Sequence, residues 1–335
     1  MRNEPFHRVR RHREGGTLVP QNRTPSDARA LLDPIYAETA ALIQVGDLTD
    51  PATLAALRDV DFTQPVTDAV TRSEHRVPGD PEVPLRVHRG EGDDDARPCI
   101  FAIHGGGYVM GSYDMDDARF DEWCPYLGLV GVSVEYRLAP EHPYPLPLED
   151  CYRGLTWTVA HADELGIDRE RIGIAGTSAG GGLAAALALL ARDRGEVPLA
   201  FQLLDCPMLD DRQQTHSSRL DDLAIWNRES NEFGWRSYLG ELYGRDEIPY
   251  HAAPARAPDL SGLPPAYVSV GAADGFRDES ILYAMRLNEA CVPTELHVYP
   301  GAPHGYQVFA DSPVALQSRR DEREWLARQL RGTAG

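Results

Sequence analysis

Short apolar runs alternate with longer helical patterns from residue 99 to the end of the chain, and this alternation restricts the fold more than any other feature. The continuous apolar runs at 99–103 and 130–134 are typical of strands that are buried on both faces. Further strands are predicted at 172–175, 200–204, 266–271 and 295–299, with helices at 149–160, 178–192, 279–290 and 313–330. Strands separated by helices predict an α/β fold with a mostly parallel central sheet flanked by helices.

The length of 335 residues fits two units, or one large domain with an insertion. Apolar residues between 26 and 45 recur at helical spacing, interrupted by Pro34, and predict an amphipathic helix. The segment 208–257 breaks the alternation with polar and aromatic residues, which indicates an inserted cap. We also expect a short helix at 52–57 and strands at 66–76 and 84–89. The predicted organisation is a flexible basic tail at 1–22, an N-terminal helical part of the cap at 23–65, the α/β core at 66–207 and 258–335, and the inserted cap segment at 208–257.

The charge balance excludes several partners. The chain holds 33 basic and 52 acidic residues, a net charge of −19, and a field of this sign repels nucleic acids and anionic membranes. A nucleic-acid arm is the alternative interpretation of the arginine-rich N-terminus, but the net charge of the chain argues against it. The longest weakly polar run, 180–191, is shorter than the about 20 residues that cross a bilayer. We therefore expect no nucleic-acid binding and no stable membrane insertion.

The basic residues and the cysteines restrict the chemistry. Every basic residue is Arg, and the absence of Lys excludes Schiff-base and Ser–Lys mechanisms. The five cysteines are odd in number and form no C-x-x-C pair, which indicates core thiols rather than disulfides. The N-terminal arginines precede polar residues and not the apolar stretch of a secretory signal. These features predict a cytoplasmic protein.

A G-x-S-x-G motif at 176–180 follows a predicted strand directly and precedes a predicted helix. A strand-to-helix turn of this kind holds the central serine, here Ser178, with its hydroxyl exposed for attack. The alternative is a serine that caps a helix behind a glycine turn. A serine nucleophile also needs a base and an acid that orients the base. The motif therefore directs the search to the later strands.

Asp274 follows the strand predicted at 266–271, and His304 follows the next strand. The carboxyl ends of parallel strands share one edge of a sheet, so both side chains are expected near Ser178. The order Ser, Asp, His is that of an α/β hydrolase. Asp278 and Asp205 are alternative acids, Asp278 as the stronger of the two. Ser178, His304 and Asp274 are the predicted catalytic residues.

The run His104–Gly105–Gly106–Gly107–Tyr108 supplies backbone N–H groups that no Cβ atom obstructs. Such donors stabilise the negative charge that develops on a carbonyl oxygen, so an oxyanion hole is predicted at Gly105, Gly106 and Ala179. A flexible turn or a phosphate loop is the alternative, but the Walker motif requires a Lys. A metal site at His104 is disfavoured because a second ligand at metal-binding spacing is missing from the sequence around it.

These motifs resemble the hormone-sensitive-lipase-like branch of the α/β-hydrolase carboxylesterases, in the subgroup with a GTSAG nucleophile motif. The resembling segments, in the family's order, are HGGGY at 104–108, YRLAPE at 136–141, GTSAGG at 176–181, DGFRDE at 274–279 and HGY at 304–306. The resemblance implies an α/β-hydrolase fold, small-molecule ester substrates of short to medium acyl length, no metal or organic cofactor, and a homodimer. Two departures are Thr177, where many members carry Asp, and Gly275–Phe276, where many carry Pro–Leu.

Aromatic residues are concentrated in the predicted inserted cap, where they favour an apolar surface over the substrate. The candidate substrate-binding residues are Tyr108, Trp226, Phe233 and Trp235. The alternative is that these rings join the cap to the core. Two other functions fit the same fold: an amidase or deacetylase that uses the same three residues, and a non-catalytic ligand-binding relative.

Overall fold

The computed structural model describes residues 28–36, 45–61, 66–92 and 96–331. Eight strands form one sheet: β1 (Val70–Val77), β2 (Val83–Gly90), β3 (Arg97–Ile103), β4 (Val130–Val134), β5 (Ile167–Thr177), β6 (Gln202–Asp205), β7 (Ala266–Ala273) and β8 (Thr294–Pro303). Their order in the sheet is β1-β2-β4-β3-β5-β6-β7-β8. The β1–β2 and β2–β4 pairs are antiparallel, and the pairs from β4 to β8 are parallel. The predicted α/β fold with a mostly parallel sheet is confirmed.

Helices cover both faces of this sheet. They are α1 (Pro51–Arg58), α2 (Asp117–Leu127), α3 (Leu146–Ala160), α4 (Ala162–Leu165), α5 (Ala179–Arg194), α6 (Arg228–Leu239), α7 (Arg277–Glu289) and α8 (Pro313–Leu330). Short 3-10 helices lie at Ala28–Leu31, Tyr113–Asp116, Ser217–Arg219, Gly240–Leu242, Pro254–Arg256 and Tyr306–Val308. Within the described ranges, the structure contains no helix that is both long and apolar enough to cross a membrane.

Two apolar cores lie on opposite faces of the sheet. Side chains of α3, α5 and α7 pack on one face, in the larger core. Side chains of α2 and α8, among them Phe120 and Trp325, pack on the other face. All residues of β3 and β4 are buried, as their continuous apolar sequence predicts.

The end of α5 that faces the site lies close against the sheet because its first turn is made of glycines. A Cβ atom added to Gly180 would lie 2.0 Å from the carbonyl oxygen of Ile103. A larger residue at this position would therefore push the helix away from β3. At its other end, α5 is terminated by Gly195 in the left-handed conformation, with φ of +66°.

Three of the described helices, α2, α4 and α6, were not predicted from the sequence. Helix α4 is a single turn of four residues. Helix α2 contains an internal proline, Pro125, and its acidic first turn weakens the apolar pattern. Helix α6 lies inside the segment 208–257, where we expected an inserted cap but placed no helix. Half of the helix predicted at 26–45 lies outside the described residues. The division into tail, cap and core stays a prediction.

Candidate active site

Ser178 occupies the turn between β5 and α5 with φ of 58° and ψ of −119°. A positive φ is uncommon for a residue other than glycine, and backbone strain of this kind persists where the surrounding structure holds it. The Ser178 N–H donates to the carbonyl oxygen of Asp205 at 2.8 Å. Its own carbonyl oxygen accepts from the N–H groups of Gly182 and Met208, each at 3.0 Å. These three backbone hydrogen bonds fix the turn.

The structure brings Ser178, His304 and Asp274 together from the carboxyl ends of β5, β8 and β7. The Ser178 hydroxyl and His304 Nε2 lie 2.9 Å apart, and His304 Nδ1 lies 2.8 Å from Asp274 Oδ2. The other oxygen of Asp274 accepts from the N–H of Phe276 at 2.8 Å. All three side chains are buried, with 6% exposure at Ser178 and at His304. The imidazole therefore links the hydroxyl to the carboxylate.

The two alternative acids have other partners. Asp278 pairs with Arg277 at 2.8 Å and accepts the N–H of Ser217 at 2.7 Å. Asp205 accepts the hydroxyl of Ser269 at 2.7 Å. Of the three candidates, Asp274 is the one in hydrogen-bond contact with His304.

The glycine loop after β3 lies directly against the Ser178 turn. A Cβ atom added to Gly105 would lie 3.0 Å from the carbonyl oxygen of Thr177 and 3.5 Å from Ser178 Cβ. Gly106 has φ of +109°, and a Cβ atom there would lie 2.1 Å from the carbonyl oxygen of Met110. The loop therefore requires glycine at position 106, and at position 105 a Cβ atom would make a tight contact with the Ser178 turn.

Ala179 adds a backbone donor beside this loop. It is the first residue of α5. Amide groups in the first turn lack acceptors within the helix and lie at the positive end of the helix dipole. The three amide positions predicted from the sequence thus belong to two segments that meet at Ser178.

His104 and Tyr136 hold the glycine loop in place. The two rings stack with centroids 4.2 Å apart, and the Tyr136 hydroxyl donates to the carbonyl oxygen of His104 at 3.1 Å. His104 Nδ1 lies 2.8 Å from the carbonyl oxygen of Gly105. Burial lowers the pKa of His104 to about 4. The ring is therefore neutral near pH 7 and packs as part of the loop.

Three active-site loops, which follow β3, β7 and β8, are contacted by one stretch of the chain, residues 223–226, which we call the covering segment. Trp226 lies over the glycine loop, since a Cβ atom added to Gly107 would be 2.1 Å from its Cη2. A Cβ atom added to Gly275, next to Asp274, would lie 3.1 Å from Leu223 Cδ1. A Cβ atom added to Gly305, next to His304, would lie 4.0 Å from Ile225 Cγ2. The sequence analysis singled out Trp226 and missed its two neighbours, whose apolar side chains give no motif.

The remaining predicted substrate-binding residues lie in the packing between α6 and the core. Tyr108 is buried, stacks on Tyr238 with centroids 4.0 Å apart, and donates its hydroxyl to the carbonyl oxygen of Met208 at 3.1 Å. Trp235 is fully buried beside it, and Phe233 is half-buried. A substrate contact of these three residues stays a prediction.

Among the described residues, Cys206, Asp274 and His304 form a group whose potential metal-ligand atoms lie within 4.8 Å of one another. Burial raises the pKa of the Cys206 thiol, which therefore stays protonated. Both oxygens of Asp274 already accept hydrogen bonds, and His304 holds one of them. This donor set suits proton transfer between side chains better than metal binding.

The arrangement can activate a hydroxyl group. An imidazole that accepts from the Ser178 hydroxyl and donates to a carboxylate can remove the hydroxyl proton during attack. The neighbouring backbone amides can stabilise an oxyanion.

Comparison with known proteins agrees with the fold. The model of a family with the alpha/beta hydrolase fold matches residues 100–308. The chain belongs to the α/β-hydrolase family. Esterase LipI of Mycobacterium tuberculosis is 39% identical over 219 residues, which cover 65% of this chain and 68% of LipI. Carboxylesterase NlhH of the same species is 39% identical over 232 residues, or 68% of this chain and 72% of NlhH.

The solved structure of a bacterial heroin esterase superimposes with a TM-score of 0.82 at 40% sequence identity. The match covers 91% of this chain and 99% of that protein. The family predicted from the motifs is confirmed, whereas the GTSAG subgroup stays a prediction.

Proposed function

We propose that this α/β hydrolase is a serine carboxylesterase that cleaves short- to medium-chain esters of small molecules through an acyl-enzyme intermediate. The observation that carries the proposal is the pair of hydrogen bonds from Ser178 to His304 and from His304 to Asp274. Ester hydrolysis is also the activity named for LipI, NlhH and the heroin esterase.

In this mechanism the Ser178 oxygen attacks the ester carbonyl carbon while His304 Nε2 takes the hydroxyl proton. The carbonyl oxygen becomes an oxyanion, which the amides of Gly105, Gly106 and Ala179 stabilise. His304 then donates the proton to the leaving alcohol, and Asp274 stabilises the imidazolium in between. A water molecule cleaves the acyl-enzyme by the same route. These steps require side chains, amides and water.

The covering segment supports an acyl pocket of limited length. Trp226 and Ile225 place apolar side chains over the loops that carry the predicted oxyanion donors and His304. Apolar side chains so close to the reacting atoms favour short and medium acyl groups over long chains.

The test is hydrolysis of p-nitrophenyl esters with two to about twelve acyl carbons. We expect turnover by the wild type, an optimum at short to medium length, and a loss of several orders of magnitude in kcat for Ser178→Ala. Ser261→Ala, at an exposed serine, is the matched control and should keep the wild-type rate. Turnover by Ser178→Ala at the wild-type rate, or a wild type that cleaves none of the esters, would overturn the proposal.

We further propose a cytoplasmic location and a homodimer. All five cysteines, which lie in the described part of the chain, are free thiols, and this supports a reducing compartment. Strand β8 lies at an edge of the described sheet, and α7 exposes Leu282 and Met285 beside it, which supports self-association. Sedimentation should give twice the chain mass of 37.0 kDa, and a mass near 37.0 kDa would contradict the dimer.

A further inference from the structure

Four polar side chains meet next to the nucleophile turn, and the proposed mechanism uses none of them directly. They are Arg119 of α2, Thr177 at the end of β5, Asp205 at the end of β6 and Glu322 of α8. We call them the Arg119 cluster. The side chains of Asp205 and Glu322 are 0% and 3% exposed, and that of Arg119 is 20% exposed.

Arg119 is the centre of this cluster. Its Nη1 donates to the Thr177 hydroxyl at 3.1 Å, and its Nη2 donates to both oxygens of Glu322 at 3.2 Å. Nη2 also lies 3.5 Å from Asp205 Oδ2. One guanidinium group therefore ties the end of β5 to the end of β6 and to α8.

Each end of the cluster continues into the site. Thr177 directly precedes Ser178 and is the register partner of Asp205 across the β5–β6 pair. The Asp205 carbonyl accepts the Ser178 N–H at 2.8 Å, while its carboxylate accepts from Ser269 and from the side-chain amide of Gln307. Gln307 lies three residues after His304. A movement of Asp205 would consequently reach both the nucleophile and the base.

The charges explain why the cation is needed. Burial raises the pKa of Asp205, and it raises that of Glu322 to about 7, whereas the charge of Arg119 opposes both shifts. Asp116 and Asp274 add negative charge nearby, and His304 is the facing group that can become positive. Without the guanidinium group, buried carboxylates would have to take up a proton or move toward water.

We propose that Arg119 is a positioning residue, which holds Thr177 and Asp205 so that the Ser178 turn and the His304 loop keep their reactive geometry. This inference rests on the proposed function. It also accounts for the departure at position 177, where many members of the resembling branch carry Asp. Here the carboxylate comes from Asp205 on the neighbouring strand, and Thr177 offers Arg119 a neutral acceptor.

The experiment compares Arg119→Met, Arg119→Lys, Thr177→Val and Thr177→Ser with the wild type. One readout is kcat and KM for p-nitrophenyl acetate. The second is the rate at which diethyl p-nitrophenyl phosphate modifies Ser178, followed by intact mass. In that reaction a bond forms between Ser178 Oγ and phosphorus, the bond from phosphorus to nitrophenolate breaks, and His304 takes the hydroxyl proton. Circular dichroism and thermal midpoints show whether each variant is folded.

We expect Arg119→Met to lower kcat and the modification rate by about 10- to 100-fold with KM nearly unchanged, because small displacements of reacting groups have costs of this size. Arg119→Lys should be intermediate, since an ammonium group keeps the charge but not the planar fork. Thr177→Val should lose about 3- to 10-fold, and Thr177→Ser, which keeps the hydroxyl, should stay within about two-fold of the wild type.

A folded Arg119→Met protein with both rates within about two-fold of the wild type would overturn the inference. If Arg119→Met does not fold, the Thr177 pair decides, and equal losses in Thr177→Val and Thr177→Ser would overturn it. The phosphate probe separates this inference from the ester proposal. Slower modification of Ser178 in the variants supports the positioning role even if the wild type cleaves no ester.

Discussion

Two regions of opposite character contact the active-site loops. The Arg119 cluster, next to the Ser178 turn, holds a cation between two buried carboxylates at 3.2 and 3.5 Å. The covering segment places Leu223, Ile225 and Trp226 on three loops through apolar contacts. Ion pairs and hydrogen bonds depend on direction, whereas apolar packing depends mainly on volume. Changes in the Arg119 cluster should therefore alter rate, and changes in the covering segment should alter the choice of substrate.

Among changes at the contacts of the covering segment, the largest effect is expected from Gly107→Ala. It would break the division between changes that alter rate and changes that alter the choice of substrate. The new Cβ atom would lie 2.1 Å from Trp226 Cη2, so the buried indole or the glycine loop must move. Because the loop carries the oxyanion donors, kcat/KM for p-nitrophenyl butyrate should fall by about 100-fold. An apolar contact would in this case control rate.

The double variant Gly107→Ala with Trp226→Leu is the control for this prediction. It should recover most of the loss, because the smaller side chain leaves room for the added methyl group. Gly107 has φ of +60°, and this conformation alone costs an alanine about 1 kcal/mol. A double variant as slow as Gly107→Ala would assign the loss to the backbone and not to the Trp226 contact.

A smaller effect, which would sharpen the comparison, is expected from Trp226→Leu alone. Removal of the indole enlarges the space over the glycine loop, so the ratio of kcat/KM for octanoate over acetate esters should rise by about 10-fold. Trp157→Phe is the matched control. Trp157 is a half-buried residue of α3 that contacts His75 of β1 and His161, so its substitution should lower the thermal midpoint without changing the ratio. An unchanged ratio in Trp226→Leu would contradict the assigned role.

The smallest effect is a pH dependence of stability at Glu135, a half-buried carboxylate just after β4 that accepts the N–H of Tyr113 at 2.8 Å. Burial raises its pKa from 4.5 to about 7. A raised pKa favours the protonated folded state, so this contribution is present below pH 4.5 and is lost as the pH rises through 7. Between these values the free energy of unfolding of the wild type should fall by about 1–2 kcal/mol relative to Glu135→Gln. Urea unfolding at both pH values measures this difference, and parallel pH profiles would contradict it.

The sequence predicted the elements whose pattern is local. Apolar runs predicted β3 and β4, and the glycines around Ser178 predicted a strand-to-helix turn. The sequence also predicted that Asp274 and His304 lie at the same edge of the sheet as Ser178, because the carboxyl ends of parallel strands share one edge. Helices α2 and α6 were missed because an internal Pro125 in α2 and a polar, aromatic sequence in α6 hide the apolar period.

The Arg119 cluster shows what local patterns omit. Its members are separated by up to 203 positions in the chain, and none belongs to a recognisable motif other than Thr177. Asp205 was considered from the sequence as an alternative acid for His304, and its partners became apparent when β6 was placed between β5 and β7. The covering segment likewise has no local signature, since residues 223–226 contact glycines that are far from them in the chain.

The sequence by itself determined the fold class, the family and the candidate nucleophile, base and acid. Glycine turns and the succession of strands along the chain are recognisable from neighbouring residues. The tertiary structure alone decided which acid reaches His304, which side chains cover the glycine loop, and which cation supports the Ser178 turn. Those choices depend on distances between segments far apart in the chain. Burial of a charge, as at Asp205, is a property of the packed molecule and has no local signature.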